Sequence, residues 1–239
     1  WELPEPRLKW IRENHQWRNL ARSYLASITF MDEQVGRLLD AIDESGQQEK
    51  TVVVLLGDHG WHLGEKGITG KNTLWERSTR VPFIYRGPGI PAGRQATNPC
   101  ELLDLFPTLA DLSGVKLPEG RDGESLVGQF AETPAGDLTP AMTTHNPGNH
   151  SVRSERWRYI HYADGSEELY DHWTDPNEWT NLAQRANLAS VLEEHRRWLP
   201  THETPHVPGS AHRTLSYDVK TGVATWEGKE VPPGSPVPE

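Results

Sequence analysis

The sequence predicts an α/β fold, part of a mixed, mostly parallel sheet flanked by helices, with a small C-terminal α+β subdomain made of an antiparallel hairpin and a helix. Three observations carry this expectation. Thr51 to Leu56 sets three valines and two leucines in a row, the pattern of a strand buried on both faces within a parallel sheet. A long amphipathic stretch runs into that strand, and helix, short loop and buried strand in this order form the second half of a βαβ crossover. Further on, two alternating segments flank a tight turn and precede another amphipathic stretch, which reads as a hairpin covered by a helix. The 239 residues suffice for one large domain with an appendage. We divide them into 1–150 for the α/β part, 151–200 for the α+β subdomain and 201–239 for an extended tail.

The first element is a helix from about Gln16 to Ser45. Leu20, Tyr24, Ile28, Met31, Val35, Leu38 and Ile42 recur at three- and four-residue spacing along one face, and Gly46 stops it. The strand at 51–56 follows. A second strand is expected at Val81 to Tyr85, edge or central undecided because Pro82 lacks a donor, and it ends in the turn residues Arg86 to Gly93. Asp104 to Leu112 reads as a short helix with Asp as N-cap and an early proline, stopped by Gly114. Residues 114–150, rich in Gly, Pro and Thr, read as a long connection. The hairpin then takes Arg156 to Tyr162 out, turns at Asp164-Gly165 and returns through Glu168 to Tyr170. Asn181 to Trp198 is the covering helix. Beyond Pro200 the tail holds one candidate hairpin, Leu215 to Trp226.

Composition narrows the function classes. A net charge of −10 argues against nucleic-acid and anionic-membrane partners, which need a basic face. The segment from Glu65 to Arg80 is a local exception, with Lys66, Lys71, Arg77 and Arg80 set against Glu65 and Glu76. No apolar run of about 18 residues exists to cross a membrane. Cys100 stands alone, so no internal disulfide forms, and core packing is its expected role. The chain opens at Trp1 without an initiator Met, so its start need not be the start of the gene.

The chemistry-bearing segment is Gly57-Asp58-His59-Gly60-Trp61-His62-Leu63-Gly64-Glu65, which leaves the carboxyl end of the buried strand. Ligands of α/β sheets sit there. Asp58 and His59 offer a carboxylate oxygen and an imidazole nitrogen, half of a metal site, since calcium takes six to eight oxygens and zinc four donors. A plain turn is the competing reading. A zinc reading of His59, His62 and Glu65 is opposed by Gly60 and Gly64, which break the helix it needs. Lys71, in a glycine-bracketed loop, can set an ammonium against an anionic oxygen, but the loop lacks Walker spacing. His145, Asn149 and His150, inside the long connection, read either as a sugar-binding rim or as a surface turn. No Gly-x-Ser-x-Gly elbow occurs.

Read together, Tyr24 to Ser27, Met31 to Leu39 and Gly57 to Glu65 resemble the type I sulfatases of the alkaline-phosphatase superfamily, nearest the iduronate-2-sulfatase-like branch. Lys71 to Glu76 and Thr79 to Ile84 continue the resemblance, as do Leu103 to Leu109, Glu167 to Asp171 and Asp175 to Leu182. It covers about residues 16–200. The resemblance implies that Asp58 and His59 coordinate the active-site divalent cation, usually calcium (Ca2+), and that Lys71 is catalytic and contacts the sulfate being cleaved. It also implies a formylglycine nucleophile made from Cys-x-Pro-x-Arg. That motif is absent, Cys100 being followed by Glu101, so the formylglycine is expected outside this chain, in an N-terminal portion of the same enzyme. The resulting expectation is the C-terminal portion of a sulfuric ester hydrolase acting on a sulfated carbohydrate or other sulfate ester, inactive alone. The family points to a periplasmic, secreted or lysosome-like compartment. The rivals are a phosphonate- or phosphate-ester hydrolase of the same superfamily and a non-catalytic carbohydrate-binding chain.

Overall fold

The structure, a computed structural model, describes residues 3–130, 139–204, 215–218, 221, 223–226 and 229–232. It divides into two compact units, Trp1–Pro200 and Thr201–Glu239.

The first unit opens with a helix that the sequence reading passed over. Helix α1 (Pro6–Glu13) places Pro6 in its first turn, where the missing N–H is no loss, and buries Leu8 and Ile11. It is anchored by Glu5, whose carboxylate accepts from the Thr69 amide at 3.3 Å and the Thr69 hydroxyl at 3.0 Å. Helix α2 (Trp17–Glu44) follows, with Gly46 at φ +67° just beyond its end, as the spacing predicts. At 28 residues it is about 42 Å long. None of its residues is buried, and on its apolar face Ile28 and Met31 are each 46% exposed and Leu38 60%.

Strand β1 (Val53–Leu56) pairs antiparallel with a later strand, Phe83–Arg86, in the register Val53↔Arg86 to Leu56↔Phe83. The expectation of a parallel neighbour is therefore not met, and among the described residues every strand pairing is antiparallel. All four β1 residues are half-buried, because one edge and much of both faces lack the neighbours that a run of Val and Leu is built to meet. Between the two strands lie the short pair β2 (His62–Leu63) and β3 (Thr69–Gly70) and the single-turn helix α3 (Glu76–Thr79), so the Phe83–Arg86 strand is β4. Helix α4 (Leu105–Ser113) ends at Gly114, φ +68°, as expected. Asp104 at its start does not cap its own helix. Its buried carboxylate accepts from the amides of Glu101 and Glu124, each at 2.8 Å, and so holds the following loop. Cys100 is exposed rather than packed in a core.

The long connection contains more structure than its composition suggests. Ala141–Thr144 and His150–Arg153 are strands β5 and β6, and they extend the expected hairpin, β7 (Trp157–His161) and β8 (Glu167–Asp171), into a four-stranded antiparallel meander. One face of this sheet carries Val152, Tyr159 and Leu169 against Leu192 of helix α5. The opposite face sets Ile160 and Tyr170 against Leu74 and Trp75, so the meander is a buttress for the loop that holds Lys71. Helix α5 covers only Ala189–Arg196 of the expected 181–198. The difference lies with Asn181, whose side-chain oxygen accepts from Leu169 and Ala183 amides at 3.0 and 2.9 Å and ties that stretch to β8 as a turn.

In the second unit, β9 (Leu215–Asp218) and β10 (Val223–Trp226) form the expected hairpin, and β11 (Lys229–Val231) adds a third antiparallel strand.

Candidate active site

The loop after β1 owes its shape to glycine. Gly57 donates to the Pro82 carbonyl at 3.1 Å, extending the β1–β4 ladder by one residue, and Gly60 donates to the Ser78 carbonyl at 2.7 Å. The second contact presses the loop onto α3 so closely that a Cβ on residue 60 would lie 2.0 Å from the Arg77 carbonyl oxygen and 3.1 Å from that of Arg80. Gly60→Ala must push the loop off α3, an overpacking cost of about 1–3 kcal/mol or more. A lowered Tm together with weakened turnover is the expected result, and an unchanged Tm would show that α3 does not seat the loop.

Between the two glycines, Asp58 and His59 are brought together. Asp58 Oδ1 accepts from the His59 amide at 3.1 Å, and Asp58 Oδ2 lies 3.5 Å from His59 Nε2. His59 Nδ1 lies 2.9 Å from the Gly60 carbonyl oxygen, an acceptor, so Nδ1 carries the proton and Nε2 presents its lone pair outward. That lone pair faces Lys71 Nζ at 2.6 Å. Three residues singled out from the sequence therefore converge on one atom, His59 Nε2. The Asp58 side chain is 85% exposed, so the carboxylate faces outward from the protein.

His62 belongs to a different network. It is wholly buried, its Nε2 hydrogen-bonds Thr73 Oγ1 at 2.9 Å, and Thr73 in turn bonds Ser78 at 2.8 Å. Burial is the main cause that pushes its imidazole below the ordinary pKa, which keeps it neutral. Glu65 accepts from the Leu63 amide at 2.7 Å. His59, His62 and Glu65 thus have three separate tasks, and among the described residues they do not form a group of ligand atoms close enough to share a metal. His62 instead links the Asp58–His59 loop, the Lys71 loop and α3.

Beneath α3 lies a network that the sequence reading missed. Arg158, 2% exposed on β7, contacts the Glu76 carboxylate through Nη2, reaches Glu178 with Nε at 2.6 Å and donates from Nη1 to Ser151 Oγ at 2.6 Å. Glu178, 1% exposed, accepts from the Glu76 amide at 2.8 Å and so serves the first orphan N–H of α3. Burial opposes ionisation of both carboxyls. For Glu76 the charge and hydrogen bond of Arg158, joined by Arg153, outweigh it, and for Glu178 the His172 hydrogen bond and Arg158 do so; both stay below the ordinary range. Glu76, His172 and Glu178 offer ligand atoms within 4.8 Å of one another. The Arg158 guanidinium already supplies the cation between the two carboxylates, so we read this group as an ion-pair support.

The remaining rim candidates lie at the β5–β6 turn, His145 and Asn149 in it and His150 as the first residue of β6. His145 and Asn149 are half-buried, and His150 is 3% exposed with Nδ1 bonded to Thr144 Oγ1 at 3.0 Å. Asn149 donates to the Pro147 carbonyl at 3.0 Å and accepts from the Ala163 amide at 3.2 Å. None of the three lines the cavity of about 390 Å³ that opens beside His59.

Comparison with known proteins matches residues 7–115 to the family model described as Sulfatase, and residues 64–203 to the model described as N-sulphoglucosamine sulphohydrolase, C-terminal. A protein of Formosa agariphila named "Sulfatase" is 38% identical over 195 residues, 82% of this chain and 38% of that protein. A structure solved in complex with its substrate D-glucosamine-2-N,6-O-disulfate superposes with a TM-score of 0.66 at 29% identity, covering 76% of this chain and 40% of the other. The phosphonate monoester hydrolase of Agrobacterium radiobacter gives 0.61 at 30% identity, covering 70% and 37%. The chain thus spans well under half the length of these proteins.

Proposed function

Because this chain belongs to the sulfatase family, we propose that it is the C-terminal portion of a sulfuric ester hydrolase that desulfates a sulfated carbohydrate. The observation that carries the reading is the meeting of Asp58, His59 and Lys71 at His59 Nε2, with Lys71 Nζ at 2.6 Å and Asp58 Oδ2 at 3.5 Å. A carboxylate oxygen and an imidazole nitrogen held in the correct tautomer fit a divalent cation, Ca2+ in the first place, as two of its ligands. When bound there, the cation would supply Lewis-acid stabilisation of charge on the transferring group. His59 and Asp58 would orient it, and Lys71 would place its ammonium against a sulfate oxygen.

The other half of the site would come from an N-terminal portion of the same enzyme, which would bring the formylglycine and the remaining ligands. The fold supports that division. The face of α2 bearing Ile28, Met31 and Leu38 and the half-buried β1 are apolar surfaces that parallel strands of the same sheet would cover. In this arrangement the sulfatase α/β domain would end before β5 rather than at 150, the subdomain would run from β5 to residue 200, and 201–239 would be the tail. His145 and Asn149 would extend the sugar rim along the β5–β6 turn, with His150 shaping that turn from below. The compartment would be periplasmic, secreted or lysosome-like.

A second reading is favoured by the phosphonate monoester hydrolase likeness: the same Asp-His pair could serve a phosphonate or phosphate ester. The complete enzyme, this chain joined to its N-terminal portion, decides between them. We expect 4-nitrophenyl sulfate to be turned over with a higher kcat/KM than phenyl 4-nitrophenylphosphonate, and chelation of calcium to lower the rate until the ion is restored. The reverse preference would establish the second reading.

A further inference from the structure

We propose that Arg77 and Arg80, with Asn177, form a subsite for a second anionic group on the sugar, a carboxylate or a further sulfate, beside the ester that is cleaved. The inference deepens the sulfatase reading and rests on it. The cavity of about 390 Å³ that includes His59 in its wall is also lined by Tyr24, Trp61, Arg77, Arg80 and Asn177, a volume within the range of small-molecule sites. A substrate whose ester lies at His59 would therefore extend toward the two arginines.

Charge decides what they would meet. Arg77 lies on α3 and Arg80 caps its C-terminal end in extended backbone, and both side chains line the cavity. Arg77 donates to Asn177 Oδ1 at 3.0 Å, a residue brought in from the loop after β8, and its Nε lies 3.8 Å from Glu65. Arg80 is 79% exposed, with Glu76 at 3.6 Å. Glu76 is the acidic residue in the cavity wall, and its carboxylate is already held from beneath by Arg158 and, at 3.5 Å, by Arg153. Its single charge is shared among three arginines and offsets Arg80 only in part. The result is a cationic mouth on a chain of net charge −10, next to the site of an anionic ester. A planar guanidinium fork suits a carboxylate or a sulfate through two parallel N–H bonds, and Asn177 fixes the Arg77 fork in advance. Trp61, whose buried indole N–H has no acceptor among the described residues, adds an apolar wall.

The test uses the complete enzyme and three substrates: 4-nitrophenyl sulfate, a 6-O-sulfated glucosamine bearing a second sulfate, and a 2-O-sulfated uronic acid. The quantity read is kcat/KM for each sugar divided by that for 4-nitrophenyl sulfate. Arg77→Gln and Arg80→Gln are expected to lower this ratio tenfold or more, chiefly through KM, with Arg77→Lys recovering part of the loss. A fall confined to the disulfated sugar assigns the subsite to sulfate, a fall confined to the uronic acid assigns it to carboxylate, and a fall in both assigns it to either anion. An unchanged ratio for both sugars, in variants whose Tm matches the parent, overturns the subsite while leaving the sulfatase reading standing. A parent enzyme that turns over no sulfate ester overturns both.

Discussion

Lys71→Ala in the complete enzyme is expected to lower kcat/KM for a sulfate ester by about 10²–10³-fold, the usual effect of removing one preorganised group from developing charge. The Lys71 ammonium lies 2.6 Å from the His59 nitrogen whose lone pair points outward, with the Asp58 carboxylate 3.5 Å from the same nitrogen. In the proposed site the cation held by Asp58 and His59 and the sulfate being transferred would lie side by side there, and the Lys71 ammonium would meet the charge that develops on the sulfate. Asp58→Ala should cost a comparable factor, because one anionic ligand is lost from a site that needs several. Steady-state kinetics with 4-nitrophenyl sulfate, beside a Tm measurement for each variant, would check both. Near-parental turnover in both variants would remove these residues from the site.

Arg158→Ala is the substitution expected to cost most in stability. It would leave Glu76 and Glu178, 12% and 1% exposed in their side chains, without the cation between them, and breaking a buried pair from one side costs about 3–5 kcal/mol. The consequence reaches the active site, because Glu76 begins α3, and α3 seats both Gly60 and the Thr73–Ser78 link. The pH dependence has a definite sign. Both carboxyls titrate below their ordinary value in the folded protein. Their contribution is therefore complete above the unfolded value of about 4.3 and is lost as pH falls through the lower folded values. Without Arg158, burial meets weaker opposition at both carboxyls, so the acid unfolding midpoint should move to higher pH. Urea unfolding at pH 7 and an acid titration would measure the two effects. A variant with parental stability would show that the ion-pair network does not hold α3.

Some of the site was legible in the chain because the signal was local. A run of Val and Leu ending in Gly57-Asp58-His59-Gly60 places a carboxylate and an imidazole at a strand end whatever the rest of the fold does. The structure brings them within 3.5 Å, and Lys71, twelve residues beyond His59, joins them. The network beneath α3 was not legible. Glu76, Arg158 and Glu178 are 82 and 102 residues apart in their contacts with Glu76, and no spacing rule connects them. The available signal was weak: an Arg at the centre of an otherwise apolar, aromatic strand, Trp157 to Ile160, which has to find a carboxylate if its face is buried. The strands β5 and β6 were hidden by the turn His145 to Asn149, whose Pro and Gly gave the stretch the composition of a loop.

Local pattern therefore determined what depends on neighbours in the chain: the extent of α2, the stop at Gly114, the β7–β8 hairpin with its Asp164-Gly165 turn, and the ligand loop after β1. Tertiary structure alone decided strand direction at β1, the length of α5, the separate duties of His59 and His62, and the buried partners of Glu76. The physical reason is that periodicity records which face of an element avoids water, whereas the partner of that face, and of each buried charge, is chosen by chain segments up to a hundred residues away.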